Sequence, residues 1–196
     1  MALQIDNIVG VLQNEGVIVY PTETVYGIGG NALEQEVAEK VFRIKGREEG
    51  KPFIVLAKDL AMAETLADIS SHKSILERYW PGALTGVFRA KGILPKGVVS
   101  DKNNIALRIS SHPFVQELFQ KIDFPLISTS ANKSGSPSCL SIEEVKKSLG
   151  DTSSLVDEYV DYGTLPQSEP STLVDFTQTS PTILRQGTVN FAILKT

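Results

Sequence analysis

The stretch IALRISSHPFVQELFQKIDFPLISTSAN (105–132) decides the fold class, because a strand, a helix and a second strand follow one another within it. The apolar run from Ile105 to Ile109 predicts a buried strand. Apolar residues at helical spacing predict a helix over His112 to Ile122, and Pro125 to Ser128 has the composition of another buried strand. Alternating strands and helices are typical of α/β proteins, so we predict a mixed, twisted sheet flanked by helices.

The same alternation extends from this stretch toward both ends of the chain. Apolar periodicity predicts further helices over Leu3 to Asn14, Leu33 to Ile44, Asp59 to Ala67, Ser70 to Tyr79 and Ser141 to Leu149. It predicts strands over Val17 to Tyr20, Phe53 to Ala57, Leu84 to Phe88, Leu155 to Tyr159, Ser171 to Phe176 and Thr182 to Arg185. The segment PTETVYGIGGN (21–31) is predicted to be a loop. Since no repeat or long linker divides the chain, we expect one domain over residues 1–196.

Composition excludes several classes of protein. A hydrophobic content of 41% and a charged content of 21% are typical of a folded globular chain. The single cysteine allows no intramolecular disulfide, the N-terminus lacks a signal-peptide pattern, and no apolar stretch is long enough to span a membrane. We therefore predict a cytoplasmic protein. A net charge of −4 and a pI of about 5.3 argue against nucleic-acid binding by the whole surface.

Several common catalytic signatures are missing from the sequence. His72 and His112 are far apart and accompany no zinc-binding pattern, and there is no Gly-x-Ser-x-Gly nucleophile elbow. The segment GREEGK (46–51) has one spacer residue too few for a Walker A loop, and YGIGG (26–30) lacks the glycine spacing of a dinucleotide loop. A nucleotide would therefore be bound in another way.

The first candidate site is a cluster of three cations just after a predicted helix. Lys45, Arg47 and Lys51 fall within seven residues on a glycine-containing loop. Arginine offers a planar fork of donors to a phosphate or carboxylate, and lysine offers a mobile point charge. The alternative is a solvated surface loop in which Glu48 and Glu49 neutralise much of this charge.

Two polar loops, each directly after a predicted strand, are the other main candidates. STSAN (128–132) offers hydroxyl and amide groups that can hydrogen-bond phosphate oxygens. PTETVYG (21–27) offers Thr22 and Thr24 to a small polar substrate. Open sheets bind ligands at the ends of their strands, which supports both assignments. The alternative for both is an ordinary turn, since serine, asparagine and glycine are turn formers.

Individual residues are weaker candidates. Arg108 ends a strand and could face a cleft or form an edge salt bridge, and Arg185 has a similar position. His112 is predicted to cap a helix and Trp80 to lie in the core. Cys139 has no neighbouring histidine to activate it, so a nucleophilic role is not expected.

Taken together, these segments resemble the YrdC/Sua5 family of threonylcarbamoyl-AMP synthases. The resemblance covers nearly the whole chain, and the spaced pairs Lys-x-Arg and Ser-x-Asn are its hallmark. The chain is similar in length to the short YrdC (TsaC) form of the family. Two positions depart from the family pattern, since Glu48 and Ser110 stand where proline is usual. The matching strings are PTETVYG (21–27), KGR (45–47) with KP (51–52), WPGALT (80–85), ALRI (106–109) with HP (112–113), STSAN (128–132) with SG (134–135), PST (170–172) and ILRQG (183–187).

The resemblance implies an open, twisted sheet with a concave, basic cavity. It also implies a reaction that joins L-threonine, bicarbonate and ATP, accompanied by Mg²⁺, and releases pyrophosphate to form an adenylate for t6A modification of tRNA. Partner proteins of the t6A pathway would carry that intermediate onward. The residues implied are Lys45 and Arg47 for catalysis, Thr24, Lys51 and Arg108 for substrate binding, and Ser128, Ser130, Asn132 and Arg185 for nucleotide binding.

Two other functions stay open at this point. The cavity could serve a non-catalytic module that binds double-stranded RNA or tRNA, or a ribosome-associated translation factor. Such binding would weaken steeply with salt, because it depends on phosphate contacts. The chain could also be a related carbamoyl transferase, similar to one domain of hydrogenase maturation proteins, although those proteins carry additional domains.

Overall fold

The computed structural model describes residues 2–47 and 53–190, which form one sheet with helices packed against it. The helices are α1 (Ala2–Gln13), α2 (Gln35–Lys45), α3 (Leu60–Leu66), α4 (Lys73–Leu76), α5 (Pro113–Leu118) and α6 (Ile142–Leu149). The strands are β1 (Ile18–Pro21), β2 (Tyr26–Gly29), β3 (Ile54–Leu56), β4 (Leu84–Arg89), β5 (Asn104–Arg108), β6 (Leu126–Ser130), β7 (Glu158–Tyr159), β8 (Thr172–Asp175) and β9 (Thr182–Arg185). No helix in these ranges has the length and apolar character that a membrane crossing requires.

The sheet is mixed, as the sequence predicts. Its strand order is β7-β1-β2-β6-β3-β5-β4-β8-β9. The pairs β1/β7, β3/β5 and β4/β8 are parallel, and the other neighbouring strands are antiparallel. Chain neighbours such as β5 and β6 are therefore separated in the sheet, and residues far apart in sequence meet on one surface.

Helices cover both faces of the sheet, although they leave part of one face open. Val55 belongs to the larger hydrophobic cluster and Leu56 to the smaller one, because successive side chains of a strand point to opposite faces. The apolar stripe of α2 packs into the larger cluster, and residues of α1 and α5 pack into the smaller one. On the smaller cluster's face, Leu126 is covered, whereas Ser128, two residues further along β6, lines a cavity. The cavity thus begins where the cover of α1 and α5 ends.

The prediction of a loop over residues 21–31 is wrong for Tyr26–Gly29, which form β2 between β1 and β6. Glycine is depleted in strands, so YGIGG does not read as one. Here glycine is required by packing, since a Cβ at Gly29 would lie 1.7 Å from the carbonyl oxygen of Ile127. The close approach of two backbones therefore requires glycine here, and glycine makes the strand unrecognisable from sequence patterns.

Two other predicted elements are shorter than expected. The predicted strand Leu155 to Tyr159 is a strand only over Glu158–Tyr159, because Gly150–Leu155 forms a 3₁₀ helix after α6. The predicted helix Ser70 to Tyr79 begins as a 3₁₀ helix over Ser70–His72 and becomes α-helical only over Lys73–Leu76. Neither 3₁₀ helix contains a buried residue, whereas the flanking Leu76, Leu149 and Val156 belong to the larger cluster.

Candidate functional site

A cavity of about 550 Å³ opens on the uncovered part of the sheet. Its floor is a row of residues that lie in register across five strands, with apolar side chains in the middle and a polar one at each end. Strand spacing makes this row about 19 Å long. The row consists of Ser128, Ile54, Ala106, Val87 and Asp175.

Positive charge dominates the cavity wall. Among the described residues that line it are three arginines, Arg47, Arg108 and Arg185, but only one carboxylate, that of Asp175. Hydroxyl groups of serines and threonines supply most of the other polar lining. A concave, low-dielectric surface concentrates the field of such charges, so the cavity is suited to anionic ligands although the chain as a whole is acidic.

Arg47 reaches this wall because of how α2 ends. Gly46 adopts a left-handed conformation with φ of 57°, and its N–H and that of Arg47 bond back to the carbonyls of Arg43 and Phe42. This is the Schellman pattern that glycine favours at helix ends. The Arg47 guanidinium donates to Thr129 Oγ1 at 3.4 Å and lies 5.3 Å from the centre of the Phe53 ring. Burial lowers the pKa of Arg47, but an arginine stays charged at neutral pH.

Lys45 does not line this cavity, and it lies at the end of α2 rather than on the loop that the sequence predicted. It is the last residue of α2, is only 2% exposed and does not line the cavity. Its ammonium group donates to the carbonyl oxygens of Asn132, at 2.8 Å, and of Ser130. Burial, together with the nearby charge of Arg47, lowers the pKa of Lys45 to about 7. Lys45 therefore braces the STSAN segment from behind.

The STSAN segment divides its polar groups between the cavity and its own turn. Ser128 and Ser130 line the cavity at the end of β6. Asn132 is buried outside the lining, and its Nδ2 donates to the carbonyls of Lys133 and Ser136 at 2.9 and 2.7 Å. The asparagine thus shapes the turn that follows the strand.

Thr24 and Arg108 meet at the other side of the same wall. Arg108 Nη1 donates to Thr24 Oγ1 at 3.4 Å, and both residues line the cavity. Arg108 also forms a buried ion pair with Glu23, with 2.6 Å between Nη2 and Oε1. Both alternatives for Arg108, a cleft and a salt bridge, are therefore realised. Sequence reasoning missed Glu23, whose signal was a lone carboxylate within a loop of hydroxyl and apolar residues.

Arg185 completes the arginine set from the edge strand β9. Its Nε and Nη2 donate to the carbonyl oxygen of Ser171 at 3.2 and 2.9 Å. Burial, and secondarily the charge of Arg108, lowers the pKa of Arg185. Ser171, Asn104 and Asp175 also line the cavity but were not predicted as site residues. The alternation of side chains along β5 and β8 places Asn104 and Asp175 on the open face of the sheet, but the sequence does not indicate which face is open.

Comparison with known proteins supplies the affiliation. The family model for Sua5, YciO and YrdC, described as telomere recombination, matches residues 10–187. The chain belongs to the Sua5/YciO/YrdC family. A Bacillus subtilis relative named threonylcarbamoyl-AMP synthase is 32% identical over 94% of this chain and 53% of its own length. A Klebsiella pneumoniae relative of the same name is 35% identical over 76% of this chain and 80% of its own length.

A solved structure agrees with this affiliation. Sua5 of Pyrococcus abyssi in complex with L-threonine has a TM-score of 0.88 and 28% identity, covering 95% of this chain and 55% of that one. The chain therefore spans about half the length of the P. abyssi protein and of the B. subtilis relative. The twisted, mixed sheet flanked by helices is thus the fold of Sua5 and YciO structures.

The remaining predictions for this Sua5/YciO/YrdC member have different outcomes. Lys51 lies outside the described residues, as does Glu48. His112 caps α5 as predicted, since its Nδ1 accepts the N–H of Phe114 at 3.2 Å, and Trp80 lies in the core. Cys139 is buried, which raises its pKa and keeps it a thiol. No cluster of three or more His, Cys, Asp or Glu that could hold a metal ion occurs within residues 2–47 and 53–190.

Proposed function

We propose that this chain forms threonylcarbamoyl-adenylate and pyrophosphate from L-threonine, bicarbonate and ATP. The observation that carries the proposal is the cavity in which three arginines and the STSAN hydroxyls face one open strip of the sheet. The names of the Bacillus and Klebsiella relatives, and the L-threonine complex of P. abyssi Sua5, support it. The product would serve t6A modification of tRNA.

The chemistry brings three anions together, so the cavity must offset their repulsion. Formation of the product requires the neutral threonine amine to bond to the bicarbonate carbon, while a C–O bond of bicarbonate breaks and its oxygen leaves as water with a proton from the amine. An oxygen of the resulting carbamate then displaces pyrophosphate from the α-phosphorus of ATP. We assign the phosphates to Arg47, Ser128 and Ser130, because donors fixed before the reaction can stabilise the charge that develops on the leaving group. Positioning and electrostatics would supply the catalysis.

The other end of the wall would hold the amino acid. We assign L-threonine to Thr24 and Arg108, which present a hydroxyl and a guanidinium side by side, and the nucleotide also to Arg185. Lys45 and Asn132 would act indirectly, by holding the segment that carries the two serines. We retain Lys51 as a proposed substrate-binding residue on the basis of the family pattern alone.

We propose Mg²⁺ as the companion of ATP. Magnesium usually keeps several waters and takes only one or two carboxylates in addition to phosphate oxygens. Asp175, the one carboxylate among the described lining residues, fits such a partly hydrated ion rather than an all-protein cage. The ion would neutralise phosphate charge, while Arg47 orients the phosphates.

The sequence also predicts the domain organisation, the partners and the location of this protein. The assigned residues that the structure describes lie on strands of one sheet or on helices and loops next to it, so we propose that they act as one domain. Contact with tRNA, transfer of the adenylate to partner proteins of the t6A pathway and the cytoplasmic location stay predictions.

Pyrophosphate release tests the proposed function directly. The purified protein is incubated with ATP, Mg²⁺, L-threonine and bicarbonate, and each component is omitted in turn. We expect release that requires both threonine and bicarbonate, because the carbamate is the nucleophile. Release without threonine would indicate simple ATP hydrolysis. A folded protein that releases none, yet binds double-stranded RNA with a steep salt dependence, would be the non-catalytic module instead.

A further inference from the structure

Glu23 lies behind the cavity wall, surrounded by donors. Arg108 reaches it with Nε at 3.2 Å and Nη2 at 2.6 Å, and the main-chain N–H of Ser111 reaches it at 3.3 Å. Ser110 Oγ donates to its second oxygen at 2.5 Å. Burial raises the pKa of Glu23, but the charge of Arg108 and the bonds from Ser110 and Arg108 outweigh this, so the net pKa is lowered. Glu23 is therefore a fixed carboxylate at neutral pH.

The hydrogen bonds on the other side of Arg108 all run in one direction. Thr22 Oγ1 donates its only proton to the carbonyl of Val25 at 2.7 Å, so in its 3.1 Å contact with Thr24 Oγ1 it must be the acceptor. The Thr24 hydroxyl therefore donates its hydrogen bond to Thr22 Oγ1, and its oxygen accepts one from Arg108 Nη1. Arg108 is held between a carboxylate on one side and this hydroxyl chain on the other.

We propose that Glu23 and Ser110 are positioning residues that set the orientation of Arg108 for L-threonine. This inference rests on the proposed function, in which Arg108 contacts that substrate. Arg108 Nε is shared between Glu23 and the carbonyl of Gly82, and Nη2 is enclosed against Glu23. The Nη1 corner beside Thr24 is thus the part of the guanidinium directed at the cavity. Without Glu23 the guanidinium would lose the partner that keeps Nη1 directed at the cavity.

Ser110 connects the carboxylate of Glu23 to a neighbouring helix. Its hydroxyl donates to Glu23 and accepts the N–H of His112 at 3.2 Å, which ties the carboxylate to the start of α5. The serine is therefore a built-in support for Glu23, and its removal should loosen Arg108 without changing any charge.

Three variants test the proposal through steady-state kinetics of pyrophosphate release. For Glu23→Gln we expect the KM for L-threonine to rise about tenfold or more, because the guanidinium is no longer aimed. The KM for ATP should stay within about twofold, since Arg47 and the serines are untouched. For Ser110→Ala the KM for L-threonine should rise about threefold, as expected for one hydrogen bond. Glu23→Asp should recover part of the loss.

The control and the contrary result are well defined. Ser111→Ala is the matched control, because Ser111 meets Glu23 only through a main-chain N–H among the contacts seen and its side chain is exposed. It should leave both KM values unchanged. If Glu23 only neutralises Arg108, then Glu23→Gln would lower the KM for ATP by adding net positive charge and would leave that for threonine unchanged. That result would overturn the proposal.

A second measurement separates this inference from the proposed function. The ¹⁵Nε–H resonance of Arg108, identified by its loss in Arg108→Lys, reports the contact with Glu23 without any substrate. We expect slow hydrogen exchange in the wild type and Ser111→Ala, and markedly faster exchange in Ser110→Ala and Glu23→Gln. Slow exchange in every variant would refute the positioning role even if the enzyme proves active. The expected pattern in a protein without pyrophosphate release would refute only the proposed function.

Discussion

Replacing Arg47 by alanine should lower kcat/KM for pyrophosphate release by about 1,000-fold, because one preorganised cationic donor at a reacting phosphate is worth that much. The Arg47 side chain is not needed for the end of α2, which is maintained by main-chain bonds from the N–H of Gly46 to Arg43 and from the N–H of Arg47 to Phe42. Thermal unfolding should therefore change little. The measurement is the initial rate of pyrophosphate release at varied ATP, with circular dichroism as the check on folding.

Two comparison variants sharpen this prediction. Arg43→Ala removes an exposed arginine from the same helix and should keep wild-type activity. Arg47→Lys keeps the charge but loses the planar fork, and should recover only part of the rate. If Arg47→Ala releases pyrophosphate at the wild-type rate in saturating ATP, then Arg47 does not act on the reacting phosphate.

Replacing Lys45 by methionine should cost both stability and activity. The carbonyls of Ser130 and Asn132 would lose their buried donor, so the free energy of unfolding should fall by about 3 kcal/mol. Activity should fall about 100-fold, because a segment that carries phosphate-binding groups would shift. Urea unfolding and pyrophosphate release measure the two effects. Loss of activity with unchanged stability would indicate that Lys45 contacts substrate instead of bracing the segment.

The lowered pKa of Lys45 adds a test by pH. In the folded protein that pKa is about 7, against an ordinary 10.5, so between these values the unfolded chain binds more protons. The cost of burying the ammonium is thus present in full below pH 7 and is relieved as pH rises from 7 toward 10.5. The neutral amine still has two N–H groups for the two carbonyls.

The expected result follows from this sign. The free energy of unfolding of the wild type, minus that of Lys45→Met, should increase with pH between 7 and 9. Lys147→Met, which removes an exposed lysine on α6, should give a difference that stays constant over the same range. A constant difference for Lys45→Met as well would show that the Lys45 ammonium is not buried as described.

These two predictions separate residues that sequence motifs join. Lys45 and Arg47 belong to one Lys-x-Arg string, yet they do different work, because Gly46 between them reverses the chain direction at the end of α2. Lys45 points back under the STSAN segment, and Arg47 points into the cavity. A short motif therefore indicates that its residues matter together without indicating which of them touches a ligand.

Most of the secondary structure was predictable from the sequence, because the periods of strands and helices are local. The apolar runs of β1, β3 and β5 and the apolar stripe of α2 all form what their patterns predict. Thr24, Arg108 and Ser130, which end or follow strands, lie at the cavity, and their binding roles stay predictions. The strand β2 was not predicted, because Gly29 is required by the close approach of a neighbouring backbone and glycine has a low strand propensity.

Only the tertiary structure decided which of these local features meet. The strand order places β3 between β5 and β6, so the floor from Ser128 to Asp175 joins strands that no sequence pattern pairs. The bonds from Arg108 to Glu23 join residues 85 positions apart, and the one to Asn132 that takes Lys45 out of the cavity spans 87 positions. Sequence by itself determined the elements and the candidate chemistry. Long-range pairing determined which side chains face the cavity and which support it, because burial and partner choice are properties of the folded surface.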